Sequence, residues 1–372
     1  MKFTIQRETF LQPLSQVIGV VERRQTLPVL ANFLLVARGD QLAVTGTDME
    51  VELVGTVSAQ VAQDGEITVP ARKLVDIVRA LPDGAAITIE VSGEKATMKA
   101  GSSKFTLSTL PANEFPATDQ VETLEEVRIP ENDLKTLLEK TAFAMANQDV
   151  RYYLNGMLFD FRDGQLRTVA TDGHRLAVCD YAGSTNVSQD RQLIVPRKGV
   201  LELQRMLADG SDDVSLALGR NHIRLIKDGT TFTSKLIDGR FPDYDAVIPV
   251  GVDKQVLIDK TLFMQALQRA AILSNEKYRG VRLEAGGETL TIVAHNPQQE
   301  EAEEKIPAEM NFEQLAVGFN VTYLIDALTA IGTEQVSLEL KDANSSCLVS
   351  APDSELNRHV VMPRSEEHTS EL

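Results

Sequence analysis

The sequence predicts an α+β chain made of three copies of one domain, with antiparallel sheets and helices gathered on one side. Three observations carry this reading. An apolar alternation ending in small polar residues occurs at 42–48, 166–172 and 290–296, each copy 124 residues after the last. A short amphipathic helix recurs at 69–81, 195–207 and 319–328, at offsets of 126 and 124. The pairs Phe115-Pro116 and Phe241-Pro242 lie 126 apart, and a third of the 372 residues is 124. Several landmarks in one order at nearly constant spacing define an internal repeat.

Taken in order, each copy of the first landmark follows a turn signal: Gly39-Asp40, Asp163-Gly164 and Gly286-Gly287. Each therefore reads as the second strand of a hairpin. Helices are expected at 6–24, 71–81, 131–146, 197–208, 259–279 and 319–332. In the third of these, Leu134, Leu137, Leu138 and Met145 recur at helical spacing behind Pro130. The remainder is short β runs broken by Gly, Asp and Asn. Domains are expected at 1–121, 126–250 and 253–363, with linkers in the acidic 119–126 and the Pro/Gly-bearing 248–253.

Composition bounds the function. With 43% hydrophobic and 24% charged residues, the chain is not wholly disordered. No apolar stretch approaches the roughly 18 residues of a membrane span, and 1–8 has no apolar signal region, so no membrane is expected. Two cysteines, Cys179 and Cys347, exclude a disulfide scaffold and a Cys-based zinc site and fit a reducing cytoplasm. Trp is absent and aromatics are 5%, which disfavours stacking on single-stranded bases.

The net charge of −17 ordinarily argues against nucleic acid, but the charge is unevenly placed. The six expected helices carry +5 over 93 residues, and the other 279 carry −22. Solvated helix faces often hold Lys and Arg without a ligand. The segregation gains meaning if the repeat brings the helices to one surface, where they would attract phosphate.

His174 beside Asp172 has the form of a general base with its orienting carboxylate. No nucleophile motif, second His at ligand spacing, P-loop or dinucleotide-binding glycine pattern accompanies it. A hydrolase built on this pair ranks below a binding protein. A peptide-binding hub that engages no DNA is the other alternative, favoured if the helices share no surface.

Specific blocks narrow the choice. These are Gln148-Asp149-Val150-Arg151-Tyr152-Tyr153-Leu154-Asn155-Gly156-Met157, Ala170-Thr171-Asp172-Gly173-His174-Arg175-Leu176-Ala177 and Leu193-Ile194-Val195-Pro196-Arg197-Lys198. Two more are Asp238-Gly239-Arg240-Phe241-Pro242-Asp243-Tyr244 and Ser274-Asn275-Glu276-Lys277-Tyr278-Arg279-Gly280-Val281-Arg282. From 1 to 363 the chain resembles the bacterial sliding clamps, the β subunits of DNA polymerase III.

The resemblance implies a head-to-tail homodimer ring, sheets outside and helices lining a channel around duplex DNA. It implies a processivity factor without catalytic activity or cofactor, acting in a cytoplasmic, nucleoid-associated polymerase complex. Its partners would be the clamp loader, the replicative polymerase, translesion polymerases and repair proteins, all bound through short peptides.

Carried over by position, the duplex-facing residues are Arg24, Arg72, Gln148 and Lys198. The peptide groove would be Leu154, Thr171, Gly173, His174, Arg175, Leu176, Pro242, Val247, Asn320, Tyr323, Ser346, Val360, Val361, Met362 and Pro363. Its apolar members would hold a partner's Leu or Phe, and its polar ones a Gln side chain or backbone. The dimer contact would join Lys73, Lys104, Phe105 and Leu107 to Ile272, Leu273, Glu300, Glu301, Glu303 and Glu304. A basic-apolar edge meeting an acidic-apolar one makes a heterologous contact, and two such contacts close a ring.

The sequence departs from the family at Ala246 and Asn344, where a relative carries Arg and Val. It departs also after Met362-Pro363, where 364–372 replaces a Met-Arg-Leu-like ending. That run has no apolar pattern and reads as a disordered or artefactual tail.

Overall fold

The computed structural model describes residues 1–22, 27–116 and 121–364. The first repeat comprises β1 (Lys2–Gln6), α1 (Arg7–Val17), β2 (Asn32–Arg38), β3 (Gln41–Thr47), β4 (Val51–Ser58), β5 (Gln60–Gln63), β6 (Gly65–Pro70), α2 (Ala71–Ala80), β7 (Ala86–Ser92), β8 (Lys95–Ala100) and β9 (Ser103–Ser108). The second comprises β10 (Thr123–Pro130), α3 (Glu131–Thr141), β11 (Gly156–Arg162), β12 (Gln165–Thr171), β13 (Arg175–Asp180), β14 (Arg191–Pro196), α4 (Arg197–Met206), β15 (Asp213–Gly219), β16 (His222–Lys227) and β17 (Thr230–Lys235). The third comprises β18 (Lys254–Asp259), α5 (Lys260–Ala271), β19 (Gly280–Gly286), β20 (Thr289–His295), β21 (Glu301–Pro307), β22 (Glu309–Met310), β23 (Gln314–Asn320), α6 (Val321–Ala330), β24 (Gln335–Leu340), β25 (Cys347–Ala351) and β26 (Ser354–Val361).

The repeat predicted from spacing is visible in this order. Every copy makes two antiparallel layers. One joins its opening strand to its last three: β1-β7-β8-β9, β10-β15-β16-β17 and β18-β24-β25-β26. The other joins the middle strands: β6-β2-β3-β4, β14-β11-β12-β13 and β23-β19-β20-β21.

Neighbouring repeats are welded by strand pairing. β17 pairs with β4, making one eight-stranded sheet, and β26 pairs with β13, making a nine-stranded one. The second repeat is thereby divided between two compact units. The first unit holds 1–132 and 198–236, and the second holds the remaining described residues. Within the first unit α1 packs on α2, and within the second α5 packs on α6.

The hairpin landmark has a local cause. Asp48 Oδ1 accepts from the backbone N–H groups of Glu50 and Val51. Asp172 Oδ1 accepts from those of His174 and Arg175, and Asn296 Oδ1 from those of Gln298 and Glu300. A side-chain turn of one kind ends the same strand three times, one residue longer in the third copy, because Asp and Asn bond the backbone two residues on. In the first two copies a Thr adds a second tie. Thr47 Oγ1 donates to Val51 O, and Thr171 Oγ1 to Arg175 O. Gly173 takes φ +88° in that turn, and a Cβ there would lie 2.8 Å from the Arg151 guanidinium.

Helix starts agree with expectation, but several ends do not. α1 stops at Val17 and passes into a 3-10 turn over Ile18–Val20, because β-branched residues and Gly19 make a poor continuation. α5 stops at Ala271 rather than 279, and Asn275 Oδ1 then organises a turn by accepting from the N–H groups of Lys277 and Tyr278. α6 begins at Val321 behind Asn320, whose side chain accepts from Thr322 N. The third hairpin turns at Gly287-Glu288, one residue later than expected, with Gly286 paired to Thr289.

Candidate peptide groove and duplex-facing residues

The expected groove residues lie together in the second unit, where β13 meets β26. Strand alternation sorts them. Leu154, Leu176 and Val360 are buried in one cluster with Phe241 and Tyr244, and Val247 packs against it. Val361 faces the other way, into the third repeat's core with Leu324 and Cys347, so it is not a groove wall. Pro242 is exposed, and Met362 and Pro363 are half-buried beyond the end of β26. Met362 is fixed from both sides. Its N–H donates to His174 O at 3.0 Å, and Ser346 Oγ donates to its sulfur at 2.9 Å.

Arg175 departs from expectation. Its Nε donates to Asp172 at 3.0 Å, one Nη to Asp326 at 2.5 Å and the other to Phe143 O at 2.7 Å. The guanidinium lies 4.6 Å from the Tyr323 ring centre and 5.3 Å from that of Phe143. With this many partners, Arg175 ties β13 to α6 instead of offering its donors to a ligand. Burial raises the Tyr323 hydroxyl pKa above its ordinary value.

Asp326 and Phe143 were missed in the sequence. Asp326 follows Tyr323 by three residues in α6 and so shares its face, which is the signal that could have found it.

The same geometry removes the hydrolase reading. Asp172 Oδ1 is engaged by two backbone N–H groups and Oδ2 by Arg175, so the carboxylate orients the turn rather than the imidazole. His174 is exposed.

The duplex-facing set separates. Arg24 lies outside the described residues. Gln148 is exposed, with a left-handed φ of +57°. Arg72 is exposed yet donates to Val21 O at 2.8 Å. Lys198 is neutralised: it donates to Val20 O at 2.9 Å and Glu22 at 3.0 Å, and pairs with Asp48 at 2.5 Å. Arg72 and Lys198 thus hold the carbonyls just after α1, where cations are favoured by the helix dipole. Lys198 acts as a clasp between the first two repeats.

The contact residues also sort. β9 is the edge of its sheet and β21 the edge of another. Lys73 and Lys104 are exposed, Phe105 is half-buried, and Leu107 is already buried within its own unit. Ile272 is 77% exposed and Leu273 half-buried. Glu300, Glu301 and Glu303 are exposed. Glu304 is instead bound at both carboxylate oxygens by Nε and Nη2 of Arg269, at 2.8 and 2.7 Å, which lowers its carboxyl pKa.

Arg364, expected at the head of a disordered tail, pairs through its N–H with Gly318 O at 2.8 Å. Residues 365–372 lie outside the described residues.

Comparison with known proteins agrees with this architecture. The N-terminal, central and C-terminal domains of the DNA polymerase III beta subunit match residues 1–119, 128–243 and 245–365. The chain belongs to the DNA polymerase III beta subunit family. It is 55% identical over 365 residues to the beta sliding clamp of Pseudomonas aeruginosa, covering 98% of this chain and 99% of that one. It is 48% identical over 364 residues to the beta sliding clamp of Escherichia coli strain K12, with the same coverage. A crystal structure of the Pseudomonas aeruginosa subunit bound to griselimycin superimposes with a TM-score of 0.93 at 54% identity, covering 98% of this chain and 99% of that one.

Proposed function

We propose that the chain is a sliding clamp: two copies close head to tail into a ring around duplex DNA and tether polymerase and other partners through the groove. It is a non-catalytic accessory subunit. One observation carries the ring. By position in the repeat, β4, β13 and β21 are equivalent, and so are β17, β26 and β9. Two of the three possible junctions, β4 with β17 and β13 with β26, are made inside the chain. The remaining strands, β21 and β9, are edges among the described residues. A second copy completes both junctions.

The equivalence also supplies a register. Residues 51–55 pair with 234–230, and 175–179 with 361–357. The turn after β20 is one residue longer than its equivalents in the first two repeats, with His295 opposite Glu301 where Thr171 is opposite Leu176. Residues 300–304 are therefore the equivalents of 175–179 and should pair with 107–103 of the partner. Lys104 then lies opposite Glu303 and diagonal to Glu301, with Phe105 opposite Ala302. Cysteines at Ser103 and Glu304 test this, since directly opposed Cβ atoms fall near disulfide reach. A covalent dimer on oxidation supports the register, and a monomer opposes it. Cys179 and Cys347 are buried and should not interfere.

Domain bounds at 1–121, 126–250 and 253–363 follow from the same repeat. Arg24, Arg72 and Gln148 are the proposed phosphate contacts, non-specific and weakened by salt. The groove takes apolar side chains over Leu154, Leu176 and Val360, beside Pro242, Val247 and Met362. His174, Thr171, Gly173 and Ser346 supply polar groups at the rim. Among the described residues no helix is long and apolar enough to cross a membrane, and a nucleoid-associated place in the cytoplasm follows from the DNA partner.

A further inference from the structure

We infer that Asp160 and Tyr244 are a positioning pair that fixes one wall of the peptide groove, an inference that rests on the groove assignment above. Segment 237–248 crosses one face of the sheet formed by β11, β12, β13 and β26. That face is apolar at one end, with Leu158, Val169, Val178 and Val360. At the other end it is charged, with Asp160, Arg162, Arg167, Asp180 and Arg358. Tyr244 sits on the boundary between them. Its ring belongs to the apolar cluster, and its hydroxyl donates to Asp160 Oδ2 at 2.5 Å. Asp160 is 1% exposed, and its other oxygen has no hydrogen-bond partner.

The neighbouring charges reinforce this anchor. Arg162 pairs with Asp160 at 2.8 Å and with Asp245 at 2.9 Å, and Arg167 reaches Asp245 at 3.3 Å. Both guanidinium groups lie within 6 Å of the Tyr244 ring centre, at 5.6 and 5.8 Å. Arg167 also holds Asp180, which holds Arg358, two residues before Val360. Two consecutive residues of the segment, Tyr244 and Asp245, are therefore bolted to the sheet. Pro242 lies two residues before Tyr244. Val247 lies three after it and donates its N–H to Tyr244 O at 3.0 Å.

The groove floor comes from Leu154, Leu176 and Val360, which are buried in the sheet region itself. The Pro242 and Val247 wall has no strand of its own. Its position is set by the Tyr244 hydrogen bond, whose loss leaves a buried carboxylate short of a donor. A wall held in place before binding lowers the ordering cost of the complex and acts on its lifetime.

The test follows dissociation of a short fluorescent peptide carrying one Gln and two Leu or Phe side chains from the full-length chain. Tyr244→Phe should speed dissociation about tenfold. Asp160→Leu should do at least as much, while Asp160→Asn, which keeps an acceptor for the hydroxyl, should stay within about threefold of wild type. Leu53→Ala, buried in the other unit, should lower thermal stability without changing peptide dissociation. Wild-type dissociation from Tyr244→Phe, with binding to the unaltered chain plainly measured, overturns the positioning role alone. An equal acceleration by Leu53→Ala overturns it too, by reducing the effect to general destabilisation. An unaltered chain that binds no such peptide overturns the groove assignment and the inference together.

Discussion

The junction between β13 and β26 and the pair of open edges β9 and β21 are equivalent positions in one repeat, yet they are built from opposite materials. Across β13 and β26 the paired residues include Leu176, Ala177, Val178, Val360 and Val361, all buried. The β4 and β17 junction likewise buries Val51, Leu53 and Phe232. The open edges present Lys104 on one side and Glu300, Glu301 and Glu303 on the other. A junction made once during folding can rely on apolar burial. An edge that meets water before it meets its partner must resist pairing with the wrong strand, and charge does that while selecting the complementary edge. The joint between copies should therefore be salt-sensitive, and those within a copy should not.

The largest expected effect lies in an internal junction. Leu53→Ala should cost about 4 kcal/mol of folding stability, read as a lower denaturant midpoint, with the dimer constant of the folded fraction unchanged. An altered dimer constant would break the distinction between the two kinds of joint. Next comes the open edge. Lys104→Glu should weaken dimerisation by about 3 kcal/mol, more than 100-fold in Kd by sedimentation, with unchanged far-UV circular dichroism. Adding Glu303→Lys should recover much of that loss at low salt.

A pH effect of about 2 kcal/mol is expected at the internal junction. His359 is buried in β26 with both ring nitrogens lacking hydrogen-bond partners, 5.4 Å from the Phe143 ring centre. Burial, with help from the Lys140 and Arg175 charges, pushes its pKa down from 6.5 to about 3. The unfolded chain binds the proton more readily, so this contribution is full above pH 6.5 and lost as pH falls toward 3. At pH 5 the loss is about 2 kcal/mol, and His359→Phe should flatten that part of the profile. The smallest effect is local. Met49 is exposed with φ +81°, the place held by Gly173 in the second repeat, and Met49→Gly should add about 1 kcal/mol.

How much of this was legible in the sequence follows from the range of the forces involved. The hairpins were readable because Asp48, Asp172 and Asn296 act on backbone groups two to four residues away. The starts of α5 and α6 were readable for the same reason, through the capping side chains of Asp259 and Asn320, but the ends depended on Gly19 and Asn275 acting against continuing apolar patterns. Val361 illustrates a misreading that alternation could have prevented, since it and its neighbour Val360 face opposite sides of one strand and enter different clusters. The role of Lys198 was not readable, because its partners Glu22 and Asp48 lie about 150 residues away or more. The shared sheets were equally hidden, since β17 and β4 pair across a similar gap.

Retention on circular DNA tests the central claim most directly. The chain is loaded onto a primed circle with a clamp loader and ATP, washed at high salt, and the circle is then cut. A closed ring predicts retention at high salt on the circle and loss after cutting, with Lys104→Glu failing to be retained at all. Equal salt-labile binding to circular and linear DNA would contradict ring closure and leave β9 and β21 without the partner their edges are built for.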